Sequence, residues 1–350
     1  MAYHGVVDDV RDVARGRKPR RLPVFACSEE FDVRWHGKYT YEELCRDGAK
    51  IAEVWIAAIE EFDYDWAWLQ VDDCFEFEPL GVGTHGEGNI LRATRDYLPL
   101  TRQTLEALRM PDPRRDGRMP EKLKALQLVR RHFGEDVLVV GSCAAPYSST
   151  GLLCGLQEPM LAGLTDPDLL EAACDFFVQW QARYIEAQVE AGAHAIWLGD
   201  CNAFSSMLSL AQYCRFAAPS CLRLVEKIHD AGALAYLHNS EISTPHILAE
   251  AELGVDVINC GPGADMAAVR SGLGTALGSR CGYSGNLDPI EVLMRGTPAQ
   301  VAAEATRLVK TCFDAGGYLF NTGEMNPRDV PPENMKAMIA AARDAAVAAR

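Results

Sequence analysis

His238, Asn239, Ser240 and Glu241 stand in succession at the end of a short apolar run, Leu234 to His238. An imidazole, an amide, a hydroxyl and a carboxylate side by side can do acid–base work, or hold a metal if further donors arrive from elsewhere. The same residues also suit a strand end meeting solvent, with Ser243 or Thr244 capping the next helix. The other strand ends decide between these readings. They carry Cys27-Ser28-Glu29-Glu30, Asp72-Asp73, Cys143 to Tyr147, Asp200-Cys201-Asn202, Cys260, Gly285-Asn286-Leu287-Asp288 and Asn321-Thr322-Gly323-Glu324. Polar or metal-capable tips on nearly every strand are what a catalytic mouth requires. His238 with Glu324 and Asp200 could seat a catalytic Zn2+ with an open position, or form a hydrogen-bonded His–carboxylate pair without metal. Asn202 joins the candidate catalytic residues from the same strand end as Asp200.

The elements that must position these groups follow from periodicity. Short apolar runs predict strands at Leu22–Cys27, Trp66–Asp72, Val137–Gly141, Ala195–Asp200, Leu234–His238, Val255–Cys260, Cys281–Asn286 and Tyr318–Asn321. Between them run amphipathic segments: Thr40–Phe62, Glu121–Phe133, Asp166–Ala191, Ser209–Ala231, Pro245–Glu252, Asp265–Ser271, Pro298–Ala315 and Pro331–Ala348. Thr40 with Glu43 makes a capping box, and Asp166-Pro167 opens a helix with proline at its first position. Ala-Gly-Ala recurs at 191–193 and 231–233, each time a glycine stop leading into a strand. This alternation implies an α/β fold, a (β/α)8 barrel spanning residues 1–350 as a single domain, with the active site at the C-terminal strand ends. Glu76–Pro120 is a long insertion after the second strand, of the kind that forms lids. An open doubly wound sheet is the alternative, weakened by the absence of G-x-G-x-x-G after the first strand.

Bulk properties narrow the partners. Lys plus Arg is 34 against 49 Asp plus Glu, a net charge of −15, which argues against nucleic acid and anionic membranes. Neither an export signal nor an apolar run long enough to span a bilayer is visible, so a cytoplasmic protein is expected. The 12 cysteines form no CxxC pair and read as reduced thiols.

"GNLDP" at Gly285–Pro289, "NTGEMNPRDVPPENMKAM" at Asn321–Met338, "LPVF", Ala145-Pro146-Tyr147 and "LHNS" together resemble the uroporphyrinogen decarboxylase superfamily, from about Arg20 to Ala348. The resemblance implies the barrel and offers two branches. True uroporphyrinogen decarboxylases hold their substrate's carboxylates with an Arg-rich loop after the first strand. Here that place reads Cys27-Ser-Glu-Glu-Phe-Asp-Val-Arg-Trp-His-Gly37, a poor match for a polyanion. The cobalamin-dependent methyltransferases are the better match. Their zinc is held by His-x-Cys and a later Cys, which fall here on His238, Ser240 and Glu324. Both thiolates are therefore missing, and an oxygen-rich site would be more Lewis acidic. This implies transfer of a methyl group from a small methylated substrate, best an aryl methyl ether, to Co(I) on a partner corrinoid protein. Asp200 is the first choice for a third ligand, with Cys201, Cys260 and Glu241 as alternatives. Phe31, Trp35, Phe75, Phe77 and Trp197 could hold the aromatic donor, Asp72 and Asp73 could bind a hydroxyl or act as general acid, and Tyr147 could donate to substrate. The competing readings are a metal-independent decarboxylase and a binding subunit without turnover. A homodimer is left open.

Overall fold

The computed structural model describes residues 3–278 and 280–349. Seven parallel strands form one curled sheet in the order β1 (Trp66–Trp68), β4 (Leu138–Ala144), β5 (Ala195–Gly199), β6 (Leu234–His238), β7 (Val257–Asn259), β8 (Gly282–Leu287) and β9 (Tyr318–Thr322). A separate antiparallel hairpin pairs β2 (Gly83–His85) with β3 (Ala93–Asp96). The first predicted strand, Leu22–Cys27, is reduced to a bridge between Val24 and Phe320. Its backbone nevertheless reaches both edges of the sheet. Phe25 N donates to Phe320 O (2.8 Å) and Phe320 N to Pro23 O (2.9 Å), while Asp65 N donates to Val24 O (2.9 Å). The Asp65 carboxylate accepts from Val24 N (2.7 Å) where a ladder bond would otherwise run.

Strand interiors are apolar because both faces are covered, by helices outside and by side chains from opposite strands inside. Phe25 stacks on Trp66 at 4.5 Å, and Trp66 lies 5.6 Å from Tyr236 across the interior. Outside, Gly48–Phe62 packs on Met119–Phe133, Ala218–Asp230 on Pro167–Glu190, and Pro298–Cys312 on Pro332–Ala348. No helix among the described residues is long and apolar enough to cross a membrane.

Several helix boundaries differ from the periodicity, each for a local reason. Thr40–Phe62 breaks into Tyr41–Leu44 and Gly48–Phe62, because Asp47 turns its carboxylate to cap Ala49 N. Ser209–Ala231 breaks at a π turn, Tyr213–Ala217, just ahead of Pro219, which has no N–H to continue the ladder. Thr40 and Asp166 cap as expected, and Gly192 and Gly232 take positive φ at the two Ala-Gly-Ala stops. Glu29–His36, read as loop, is a helix.

Candidate active site

β6 ends at His238, and the chain turns at once: Ser240 has φ 60, in the left-handed region. Ser240 therefore does not continue the side-chain face of His238 as an extended chain would. Gly261 lies so close beneath that any Cβ there would meet the Ser240 carbonyl. His238 is 1 % exposed, with its Nε2 3.2 Å from Oε1 of Glu324, which follows β9. On its other side Asn259 Nδ2, at the end of β7, stands 2.9 Å from His238 Nδ1. Two candidates 86 residues apart in sequence are thus brought together.

A second carboxylate faces the same mouth. Asp73 is exposed to the mouth yet enclosed by protein, and accepts from Gln70 Nε2 (2.7 Å). Burial pushes its carboxyl above the usual range, and the charges of Asp72 and Glu324 push the same way. Burial also raises Glu324, but the His238 ring and the Met325 N–H outweigh it and hold that carboxyl below the usual range. The environments thus separate the two acids: Asp73 keeps a proton longer, and Glu324 stays ionised. Glu29 adds a third acid, raised well above its ordinary value by burial and by Glu30 and Asp73. Trp197 forms a wall, 5.2 Å from the His238 ring and 5.1 Å from Trp68. The indole N–H groups of Trp68 and Trp197 are buried without partners.

Other candidates turn elsewhere, mostly by strand parity, since neighbouring residues face opposite sides of a sheet. Trp197 and Gly199 share a face with Tyr236 and His238, so Asp200 points outward and accepts from Ser148 Oγ at 2.6 Å. Asn202 is tied to the same helix, donating through its backbone to Ser148 Oγ (3.0 Å) and through its side chain to Ser148 O (3.3 Å). Tyr147 lies in that helix, Pro146–Cys154, and its hydroxyl is buried and unpartnered. Cys260 faces outward, one residue beyond Asn259, and its thiol is raised by burial. Glu241 is consumed by structure: its oxygens accept from Ser205 N (2.6 Å), Ser205 Oγ (2.6 Å), Ile242 N (2.8 Å) and Ser243 N (2.6 Å).

Asp72 is not free either. Arg118 holds it with two bonds, 2.7 and 2.8 Å, and also reaches Glu78 at 2.8 Å, which pins the segment after β1 to the sheet. Phe75 lies under that guanidinium at 4.0 Å. Phe31 and Trp35 pack on Phe62, and Phe77 on Phe177, so of the aromatic candidates Trp197 alone touches the His238 ring.

A catalytic zinc needs three protein donors and a bare imidazole nitrogen. Among the described residues no three His, Cys, Asp or Glu groups converge. Cys201 opens onto the mouth, but burial pushes its thiol well up and disfavours the thiolate a metal would take. The donor set does not fit the zinc that the resemblance implies. Residues missed from sequence are Asn259, Gln70 and Trp68. Asn259 carried a signal, an amide closing an otherwise apolar strand one residue before the chosen Cys260.

Comparison with known proteins places this arrangement. The family described as "Uroporphyrinogen decarboxylase (URO-D)" matches residues 7–345. "Uroporphyrinogen decarboxylase" of Gloeobacter violaceus is 26% identical over 343 residues, covering 93% of this chain and 94% of the relative. "Methylcobamide:CoM methyltransferase MtbA" of Methanosarcina mazei is 26% identical over 229 residues, covering 65% and 64%. A solved "methyltransferase from Methanosarcina mazei" superposes with a TM-score of 0.85 at 22% identity, covering 98% of this chain and 99% of that one.

Proposed function

The chain belongs to the uroporphyrinogen decarboxylase family, and from that premise we propose that it is a corrinoid-dependent methyltransferase. It takes a methyl group from a small methylated donor, best an aryl methyl ether, and passes it to a corrinoid protein. One observation carries this reading: the mouth gathers two further acids, Glu29 and Asp73, around the single His238–Glu324 pair. Such a surface offers acids where a polycarboxylate substrate would need cationic partners, and suits a neutral or cationic methyl donor. The relative named as a methylcobamide methyltransferase supports the branch.

The partner's Co(I) would supply the nucleophile that takes the methyl group. This chain's task is to make the departing oxygen a good leaving group. Asp73, whose carboxyl burial raises, keeps its proton to higher pH than a free aspartate and can offer it to that oxygen, and Gln70 fixes one of its oxygens so that the other can face substrate. His238 and Glu324 orient the donor from the opposite side, and Trp197 offers a flat wall for an aromatic ring. The segment 76–120, pinned by Arg118 and by Arg92 bonded to Glu42 and Glu78, shields the donor from water. No step is assigned to zinc. Reduced thiols and Co(I) both suit a reducing compartment such as the cytoplasm.

The test mixes the chain with reduced cobalamin or a corrinoid protein and a panel of methoxyarenes and methylamines. Demethylated product should appear as Co(I) absorption falls. No product with any donor, or release of coproporphyrinogen from uroporphyrinogen at ~10 s−1, an ordinary enzyme turnover, would overturn the assignment.

A further inference from the structure

The proton on His238 is placed by a chain of groups that begins at a backbone carbonyl. Asn259 Nδ2 donates to Gly323 O at 3.0 Å, and a carbonyl can only accept, so the amide cannot be turned round. At its other end Oδ1 meets the hydroxyls of Ser284 (2.7 Å) and Tyr236 (3.1 Å), themselves 2.6 Å apart, and one of them donates to the amide oxygen in agreement with that orientation. Tyr236, Asn259, Ser284 and His238 are all buried away from bulk solvent, so these groups meet one another. The nitrogen that Asn259 turns to His238 is therefore a donor, and His238 Nδ1 must accept. A neutral ring then carries its single proton on Nε2, the atom facing Glu324.

Metal-binding histidines are wired the opposite way. The ligating nitrogen is bare, and the other N–H donates to a carboxylate or carbonyl that fixes the tautomer. We propose that Asn259 is a tautomer lock that makes His238–Glu324 a proton-bearing pair in place of the family's zinc seat, its ligand being a hydrogen-bond donor of the substrate that meets the free carboxylate oxygen of Glu324. Two consequences follow. The pair needs no third donor, in keeping with Asp200, Glu241 and Cys260 being turned away. Reversing the lock should create metal affinity that the natural chain lacks. Neither consequence depends on which methyl donor is used or on whether methyl transfer is the reaction.

The experiment reads protons and metal instead of turnover. Protein labelled with 15N-histidine should show His238 as the Nε2–H tautomer in long-range 1H–15N spectra, unchanged by micromolar zinc. Asn259→Asp replaces the donor with an acceptor, so the proton should move to Nδ1 and zinc affinity should rise at least ten-fold. The wild-type spectrum and metal content stand even if the variant folds poorly. A wild-type chain that holds one zinc, loses it in His238→Ala and shows the Nδ1–H tautomer would overturn the proposal.

Discussion

Two carboxylates at strand ends, Asp72 after β1 and Glu324 after β9, both meet a basic side chain, yet they do different work. Asp72 is fully buried and gripped by Arg118 through two bonds, and also accepts from Cys74 N (2.9 Å). Glu324 leaves about a third of its side chain exposed to the mouth, 32%, and shares one ring N–H and one backbone N–H. The first has nothing left to offer a substrate; the second does. A saturated hydrogen-bond shell marks scaffolding, and an unsaturated one in a cleft marks chemistry. Glu241, with four donors on its two oxygens, sits with Asp72 in the first class.

The contrast can be broken at its ends. The largest effect should come from Glu324→Gln, which should lower kcat/KM for the methyl donor by ~10²–10⁴ while changing stability by less than about 1 kcal/mol. Equal loss of both would erase the distinction from Asp72. Arg118→Met should do the reverse. It strands the buried Asp72 charge and should cost about 3–5 kcal/mol in urea unfolding, with activity per folded molecule far less affected. A cost below about 1 kcal/mol would mean the clamp is not what holds the segment after β1.

The smallest effect concerns Asp200, the candidate that turned outward. Burial raises its carboxyl from the ordinary 3.8 to about 6, against the lowering by Ser148. Because the folded value lies above the unfolded one, the folded chain binds the extra proton between the two. The associated stability is fully present below about pH 4 and lost as pH rises through about 6. Asp200→Asn removes this dependence, so relative to wild type the variant should gain stability between pH 4 and 7, by at most about 3 kcal/mol for a two-unit shift. A difference that does not vary with pH would place the Asp200 proton elsewhere.

Much of the architecture was legible because it is written in local chemistry. The alternation of apolar runs and amphipathic segments gave seven of the eight strands. Thr40, Asp166, Gly192 and Gly232 marked boundaries through caps that need only neighbouring residues. The pairing of His238 with Glu324 was also legible, since both sit at strand ends that a barrel must bring to one face.

What sequence alone determined, then, was which elements form and which ends share the mouth, because periodicity and capping act over a few residues. Only the tertiary structure decided which side chain at each end faces inward. A shift of one residue exchanges Asn259 for Cys260, and the facing strands set that parity. It also decided which polar groups were already satisfied. Arg118 reaches Asp72 from 46 residues away, and Gly323 orients Asn259 from 64 residues away, distances over which no local pattern carries information.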